Sequence, residues 1–374
     1  MIRSKLSLAL STIILALGCT AKPLPQASTP KIALKVTEIA TKLANPWGLA
    51  VLPDSSMLVT ERDGRLRVIR NGTLVPAPVA GVPTVYNEGQ GGLFDVVLHP
   101  DFVTNNLVYL SFAKGTKAAN HTAIIRATYD GARLTNIQTV FDAAPDKATD
   151  AHFGGRMMFL PDKTLILTLG EGYAYRDKAQ DLSSDLGKII RITDTGQPAA
   201  GNPFVGQAGK RPEIFSYGHR NVQGITRDPV TGIIYEHEHG PKGGDEINIL
   251  APGKNYGWPE ITYGVDYSGA PISLKNKQDG MEQPITYWVP SIAPSGMTFY
   301  SGDLFPAWKG DLLVTALAGQ QLRYINLERG VVTDQVAYLT EREERYRQVV
   351  QAPDGSLLVL TDDAEGKVLR ITPG

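Results

Sequence analysis

Six times along the chain an apolar run reaches a Pro-Asp or Gly-Asp turn, or its equivalent, and a second apolar run follows. The copies are "GLAVLPDSSMLVTER" from Gly48, "DVVLHPDFVTNNLVYLSFA" from Asp95, "RMMFLPDKTLILTLGEG" from Arg156, "GITRDPVTGIIYEHEHG" from Gly224, "GMTFYSGDLFPAWKGDLLVTALAG" from Gly296 and "QVVQAPDGSLLVLTDD" from Gln348. Short β-rich runs on either side of a residue that fixes φ or tolerates the left-handed region predict β-hairpins. Some are followed by a further strand-like run, as in "GRLRVIRNG" and "GKVLRITPG". After the N-terminal segment no stretch of any length repeats its apolar residues at the helical period.

Six units over about 340 residues leave roughly 57 residues each, the size of a four-stranded blade with insertions. The pattern therefore predicts an all-β chain, a six-bladed β-propeller, folded as one domain over residues 36–374. A β-sandwich would need the same turn to recur six times by coincidence. In a propeller the inner strands line a central channel, and the turns leaving them gather at one mouth. That mouth is where chemistry is expected.

The first residues read differently. Arg3 and Lys5 precede an apolar run from Leu6 to Leu17, the layout of a secretory signal and too short for a stable spanning helix. The single cysteine, Cys19, closes that run in "LALGC", which resembles a bacterial lipobox. Residues 1–19 are thus expected to be a signal, and the Pro-, Ser- and Thr-rich residues 20–35 a tether. The expected location is outside the cytoplasm, periplasmic or held at a membrane through a lipidated Cys19. A formal net charge of -1 over 374 residues offers no basic footprint for nucleic acid.

Candidate chemistry concentrates in Gly-rich clusters beside the hairpins. They are "NEGQGGL" with Gln90, "DAHFGGR" with His152 and Arg156, "LGEG" with Glu171, "SYGHRNVQG" with Arg220 and Asn221, and "REERYRQ" with Arg345 and Arg347. The last two arginines stand two apart, share a face on a strand, and could clamp a multiply charged anion. The stretch "YEHEHGPKGGDEINILAPGKNYGWPEITYG" crowds carboxylates and sharp turns into thirty residues, a composition suited to a hard cation. The chain has no G-x-S-x-G elbow, no P-loop, no dinucleotide fingerprint and no H-E-x-x-H pair. His237 and His239 lack the second ligand pair that zinc requires.

Together, "NPWGLAVLPD", "GQGGLFDVVLHPDF", "HFGGRMMF", "AQDLSSDLGKIIRI", "PEIFSYGHRNVQG", "EHGPKGGDEINILAPGKNYGWP" and "RYRQVVQAPDG" resemble the soluble PQQ-dependent aldose sugar dehydrogenases, the glucose/sorbosone dehydrogenase family. The resemblance runs from about Asn45 to the C-terminus. It implies a six-bladed propeller with pyrroloquinoline quinone (PQQ) and calcium at one mouth. It assigns the carbonyls of Gly240 and Pro241 to the calcium beside the quinone, and Glu246, Asp245 and the Tyr256 carbonyl to a second calcium. Gln90, Arg220, Asn221, Tyr267, Arg345 and Arg347 would contact the quinone, whose three carboxylates suit arginine. His152 would be the general base for the anomeric hydroxyl of an aldose, with Glu171 orienting it, while hydride leaves C1 for the quinone. The product would be a lactone, and the electrons would pass to an acceptor that the sequence does not identify. One position departs from the family: "TALAGQQL" places Ala318 where a lysine is common. The rival readings are an exported calcium-binding propeller without redox activity and a calcium-dependent propeller lactonase.

Overall fold

A computed structural model describes residues 31–374; the expected signal, Cys19 and most of the expected tether lie outside the described residues. Among the described residues twenty-four strands form six four-stranded antiparallel sheets. Their inner strands, Pro46–Val51, Leu93–Leu98, Met157–Phe159, Val222–Arg227, Pro294–Phe299 and Tyr346–Gln351, define blades one to six and pack against one another around the centre. Each predicted hairpin is the pairing of such a strand with the second strand of its blade: Met57–Glu61, Leu107–Gly115, Leu165–Thr168, Ile234–Glu238, Leu312–Ala316 and Leu357–Thr361. Helix is confined to Phe102–Asn105 and three 3-10 turns among the described residues.

The ring closes through the beginning of the described chain. Strand Leu34–Leu43 pairs antiparallel with Gly366–Pro373, from Leu34 opposite Pro373 to Leu43 opposite Gly366, and is the outer strand of blade six. It starts two residues ahead of the domain boundary expected at residue 36.

The apolar core is divided among the interfaces between blades. One cluster joins each neighbouring pair: Leu58 and Leu110 between one and two, Tyr109 and Leu167 between two and three, and Ile166 and Val222 between three and four. Tyr235 with Leu312, Leu313 with Leu357, and Leu358 with Leu49 complete the circle. The sheets pack face to face, so both faces of most second strands are buried and the strands read as continuous apolar runs. A hydroxyl near the end of several of these runs reaches the next blade. Thr60 bonds the carbonyl of Phe94 at 2.5 Å, Ser111 that of Gly155 at 2.6 Å, and Thr168 that of Val222 at 3.1 Å.

At the centre a single side chain ties all six blades. Arg156, adjoining the inner strand of blade three, donates Nε to the Gln223 carbonyl at 2.9 Å and Nη1 to that of Trp47 at 3.3 Å. Its Nη2 donates to the carbonyls of Ser295 at 2.8 Å and Arg347 at 3.0 Å. Asp95 of blade two supplies the counter-charge at 3.5 Å. The guanidinium lies 3.8 Å from the Trp47 ring, and burial lowers its pKa to about 10.

The Pro-Asp turns gather at one end of the channel, and the clusters expected to carry chemistry gather at the other. An antiparallel hairpin returns the chain to the end at which it entered. Residues just before an inner strand therefore meet residues just after a second strand, as the pairing of Val222 with Glu238 and Tyr346 with Thr361 shows. The expectation that chemistry sits with the turns leaving the inner strands is corrected accordingly.

Candidate active site

His152 lies in the turn leading to blade three's inner strand, with a left-handed φ of 52°. Gln90, before blade two, accepts the His152 backbone N–H at its Oε1 (2.9 Å). Two glycines let this turn lie directly on the end of blade three's second strand. A Cβ on Gly154 would come within 2.5 Å of the Thr168 carbonyl oxygen, and one on Gly170 within 2.3 Å of the His152 carbonyl oxygen. Only glycine allows such an approach. The residue after Gly170 is Glu171, and its Oε1 is 3.0 Å from His152 Nδ1.

Both side chains are buried, at 4% and 0% exposure. Burial, with the nearby charges of Arg220, His239, Lys147 and Arg176, holds the His152 pKa well below its ordinary 6.5. Burial likewise pushes Glu171 up to about 7, against the pull of Arg220. Nδ1–H donated to Glu171 leaves Nε2 as the free basic nitrogen. The second carboxylate oxygen, Glu171 Oε2, has no partner among the described residues. Tyr173 stands edge-on to the His152 ring with centroids 5.3 Å apart.

Blade four adjoins this pair. The Glu171 N–H donates to the Arg220 carbonyl at 2.9 Å, and Asn221 Oδ1 accepts from the Gly154 N–H at 3.2 Å. Arg220 Nη1 donates to the carbonyls of Gly240 at 2.6 Å and His239 at 3.1 Å. The Gly240 carbonyl expected to hold calcium already accepts one hydrogen bond, from Arg220, and keeps a second lone pair, whereas that of Pro241 accepts no hydrogen bond among the described residues. Tyr267, 58% exposed, shares a rim pocket with Pro241, Arg176 and Glu171.

Across the mouth a cleft of about 190 Å³ is lined by Trp47, Phe94 and Phe153 and by Arg62, Gln90, Asn221, Gln223, Arg345, Arg347 and Asp362. Arg345 and Arg347 do share a face, and both reach Asp362, at 3.0 and 3.2 Å. The Nε atoms of Arg347 and Arg220 are buried without partners. Ala318 is exposed just beyond Leu317, which lines this cleft.

A buried acidic group adjoins Arg220. Glu236 and Glu238, two apart on one strand, face His219, whose Nδ1 is 3.7 and 3.0 Å from them. The ligand atoms of these three residues all lie within 4.8 Å of one another. Asn248 bridges Glu236 and Glu246 at 2.8 and 3.1 Å. Burial raises Glu236 well above the carboxylate range and Glu246 to about 8, each helped by Glu238. Tyr256 stacks on His219, and its carbonyl accepts no hydrogen bond among the described residues. Asp245 is different. Its Oδ1 accepts from the Gly240 N–H, and its Oδ2 from Ser291 Oγ and the N–H groups of Ile292 and Ala293. It holds two loops together and has little left for a cation.

Sequence reasoning brought Gln90, His152, Glu171, Arg220, Asn221, Arg345 and Arg347 to this mouth. It missed Arg62, Asp362, Gln223 and Lys147, and reached Glu236 and Glu238 only as members of the carboxylate-rich stretch from Tyr235. Lys147 is buried against the Phe153 ring at 3.4 Å, and burial lowers its pKa to about 7. Arg62, Glu171, Ala318 and Asp362 all lie one to three residues beyond a second strand. That recurrence is the signal that could have found the missing pair.

A family profile described as "Glucose / Sorbosone dehydrogenase" matches residues 43–370. The chain is 42% identical to the aldose sugar dehydrogenase YliI of Escherichia coli, over 91% of this chain and 93% of that one. The crystal structure of the soluble E. coli aldose sugar dehydrogenase in its apo-form superposes with a TM-score of 0.88, covering 91% of this chain and 100% of that chain. The PQQ-bound aldose sugar dehydrogenase of Streptomyces coelicolor is 31% identical, with a TM-score of 0.77 over 92% of this chain and 99% of that one.

Proposed function

The chain belongs to the glucose and sorbosone dehydrogenase family, and from that premise we propose that it oxidises the C1 hydroxyl of an aldose with PQQ and calcium at the His152 mouth. The observation that carries this reading is a buried His–Glu pair on a turn whose next residues, Phe153 and Gly154, line a cleft walled by three guanidiniums. The residues fit the group. Unpartnered Nε atoms on Arg220 and Arg347 and an aromatic lining suit a flat, polycarboxylated ring system. When bound, PQQ supplies the hydride acceptor, the part of the chemistry that side chains cannot perform.

The protein's own part is to bind, orient and move a proton. His152 Nε2 takes the proton of the anomeric hydroxyl, and Glu171 fixes the tautomer and stabilises the imidazolium that forms. Arg345 and Arg347 would hold the cofactor's carboxylates, and Asn221 and Gln90 set the position of the base turn. For calcium, the Pro241 carbonyl in the pocket shared with Glu171 and Arg220 and the Glu236, Glu238 and Glu246 group with the Tyr256 carbonyl would offer the oxygen donors that such an ion takes.

Two expected outcomes follow from the charges. Glu236 and Glu246 hold protons more tightly folded than unfolded, so without calcium the folded state gains stability as the pH falls from about 8 toward 4.5. The same stability is lost as the pH rises through about 8. Calcium should raise the unfolding midpoint most at the alkaline end, and melting curves in chelator and in calcium across that window check this. Ala318→Lys should tighten PQQ binding roughly two- to five-fold, the worth of one added exposed charge, read by cofactor titration.

The direct test is dye reduction by the purified protein with PQQ, calcium and a panel of aldoses, against mixtures that omit each one. Turnover requiring all three supports the proposal, and turnover without PQQ refutes it.

A further inference from the structure

The cleft carries a charge that the chemistry above leaves unbalanced. Arg345 and Arg347 both turn onto the single carboxylate of Asp362. Arg62 lines the same cleft from just beyond blade one's second strand, as Asp362 does from blade six. Its guanidinium makes no ion pair or hydrogen bond among the described residues. Its charge reaches Arg347, whose pKa is lowered first by burial and further by Arg345 and Arg62, against Asp362.

Nor is Arg62 a loose surface side chain. Its backbone is fixed on both sides, by its N–H on the Asn45 carbonyl at 3.2 Å and by the Leu93 N–H on its own carbonyl at 2.9 Å. Its stem occupies room left by Gly92, where a Cβ would lie 2.7 Å from Arg62 Cγ. Three guanidiniums lining one cleft that holds a single carboxylate repel one another unless anions enter, and the planar fork of arginine matches a carboxylate.

We propose that Arg62 is the third arm of a polycarboxylate-binding wall, gripping a carboxylate of the ligand separate from that held by Arg345 and Arg347. On the reading above, on which this identification rests, that ligand is PQQ.

The test is a titration of the full-length protein with PQQ, and separately with benzene-1,3,5-tricarboxylate, for wild type, Arg62→Ala and Arg62→Lys. Alongside it, the unfolding midpoint of each ligand-free variant is measured. Arg62→Ala should weaken binding at least threefold, with Arg62→Lys in between. The ligand-free midpoint should hold or rise, because a like charge has been removed. A structural role would instead lower the midpoint. Affinity changed by less than threefold, or lost together with the ligand-free midpoint, overturns the proposal. Wild type that takes the tricarboxylate through Arg62 but not PQQ keeps the wall and removes the quinone reading. Wild type that takes neither probe removes both.

Discussion

His152→Ala should lower turnover by about 10²- to 10⁴-fold, the usual worth of a positioned general base, while PQQ affinity stays within a few-fold of wild type. The geometry separates these effects. The His152 side chain is held by Glu171 at 3.0 Å, whereas the cleft's charge comes from arginines on blades one and six. Because burial keeps the imidazole well below 6.5, it is unprotonated and ready to accept a proton at neutral pH. The acid limb of kcat/KM should therefore lie below pH 6.5, and activity should fall only as His152 becomes protonated there. Glu171→Gln should cost less than His152→Ala, since the amide can still accept from Nδ1–H but cannot stabilise the imidazolium. Steady-state kinetics on the three proteins, with cofactor occupancy measured in each, checks the account. Substantial residual turnover in His152→Ala would remove the residue from the role of base.

Arg156→Met should cost about 3 to 5 kcal/mol of stability, because it strands the buried Asp95 and leaves four buried carbonyls without this donor. The unfolding midpoint should fall by roughly 4 to 7 °C. Arg156→Lys should rescue little. One ammonium cannot present five donors in the plane that spans Gln223, Trp47, Ser295 and Arg347. Thermal and denaturant unfolding of both variants measures the loss, and a midpoint unchanged in Arg156→Met would contradict the central role given to this side chain.

The sequence carried the hairpins because a turn with fixed φ between two apolar runs is a local signal, and each blade repeats it. It carried His152, Glu171 and Arg220 because they sit in Gly-rich turns, where close backbone approach leaves its mark in composition. Arg156 also stood in such a cluster, yet nothing local says that its five donors reach the inner strands of the other five blades. The mouth was misplaced for a related reason. Which end of the channel a residue occupies depends on the direction of its strand, and the conspicuous Pro-Asp turns mark the opposite end. Asp362 meets Arg345 and Arg347 through blade six's own hairpin, where Tyr346 pairs with Thr361, whereas Arg62 of blade one comes to their cleft only because the ring closes. The strand Leu34–Leu43 finds its partner more than three hundred residues away, at Gly366–Pro373, so its local sequence cannot reveal the closure.

The most direct measurement is a single turnover: the protein reconstituted with PQQ and calcium, mixed without air with one equivalent of an aldose and, separately, with the same sugar deuterated at C1. The account predicts loss of the oxidised cofactor's absorbance, a slower loss with the deuterated sugar, and a lactone as product. Unchanged absorbance with every aldose tried, in protein shown to hold PQQ, would contradict it.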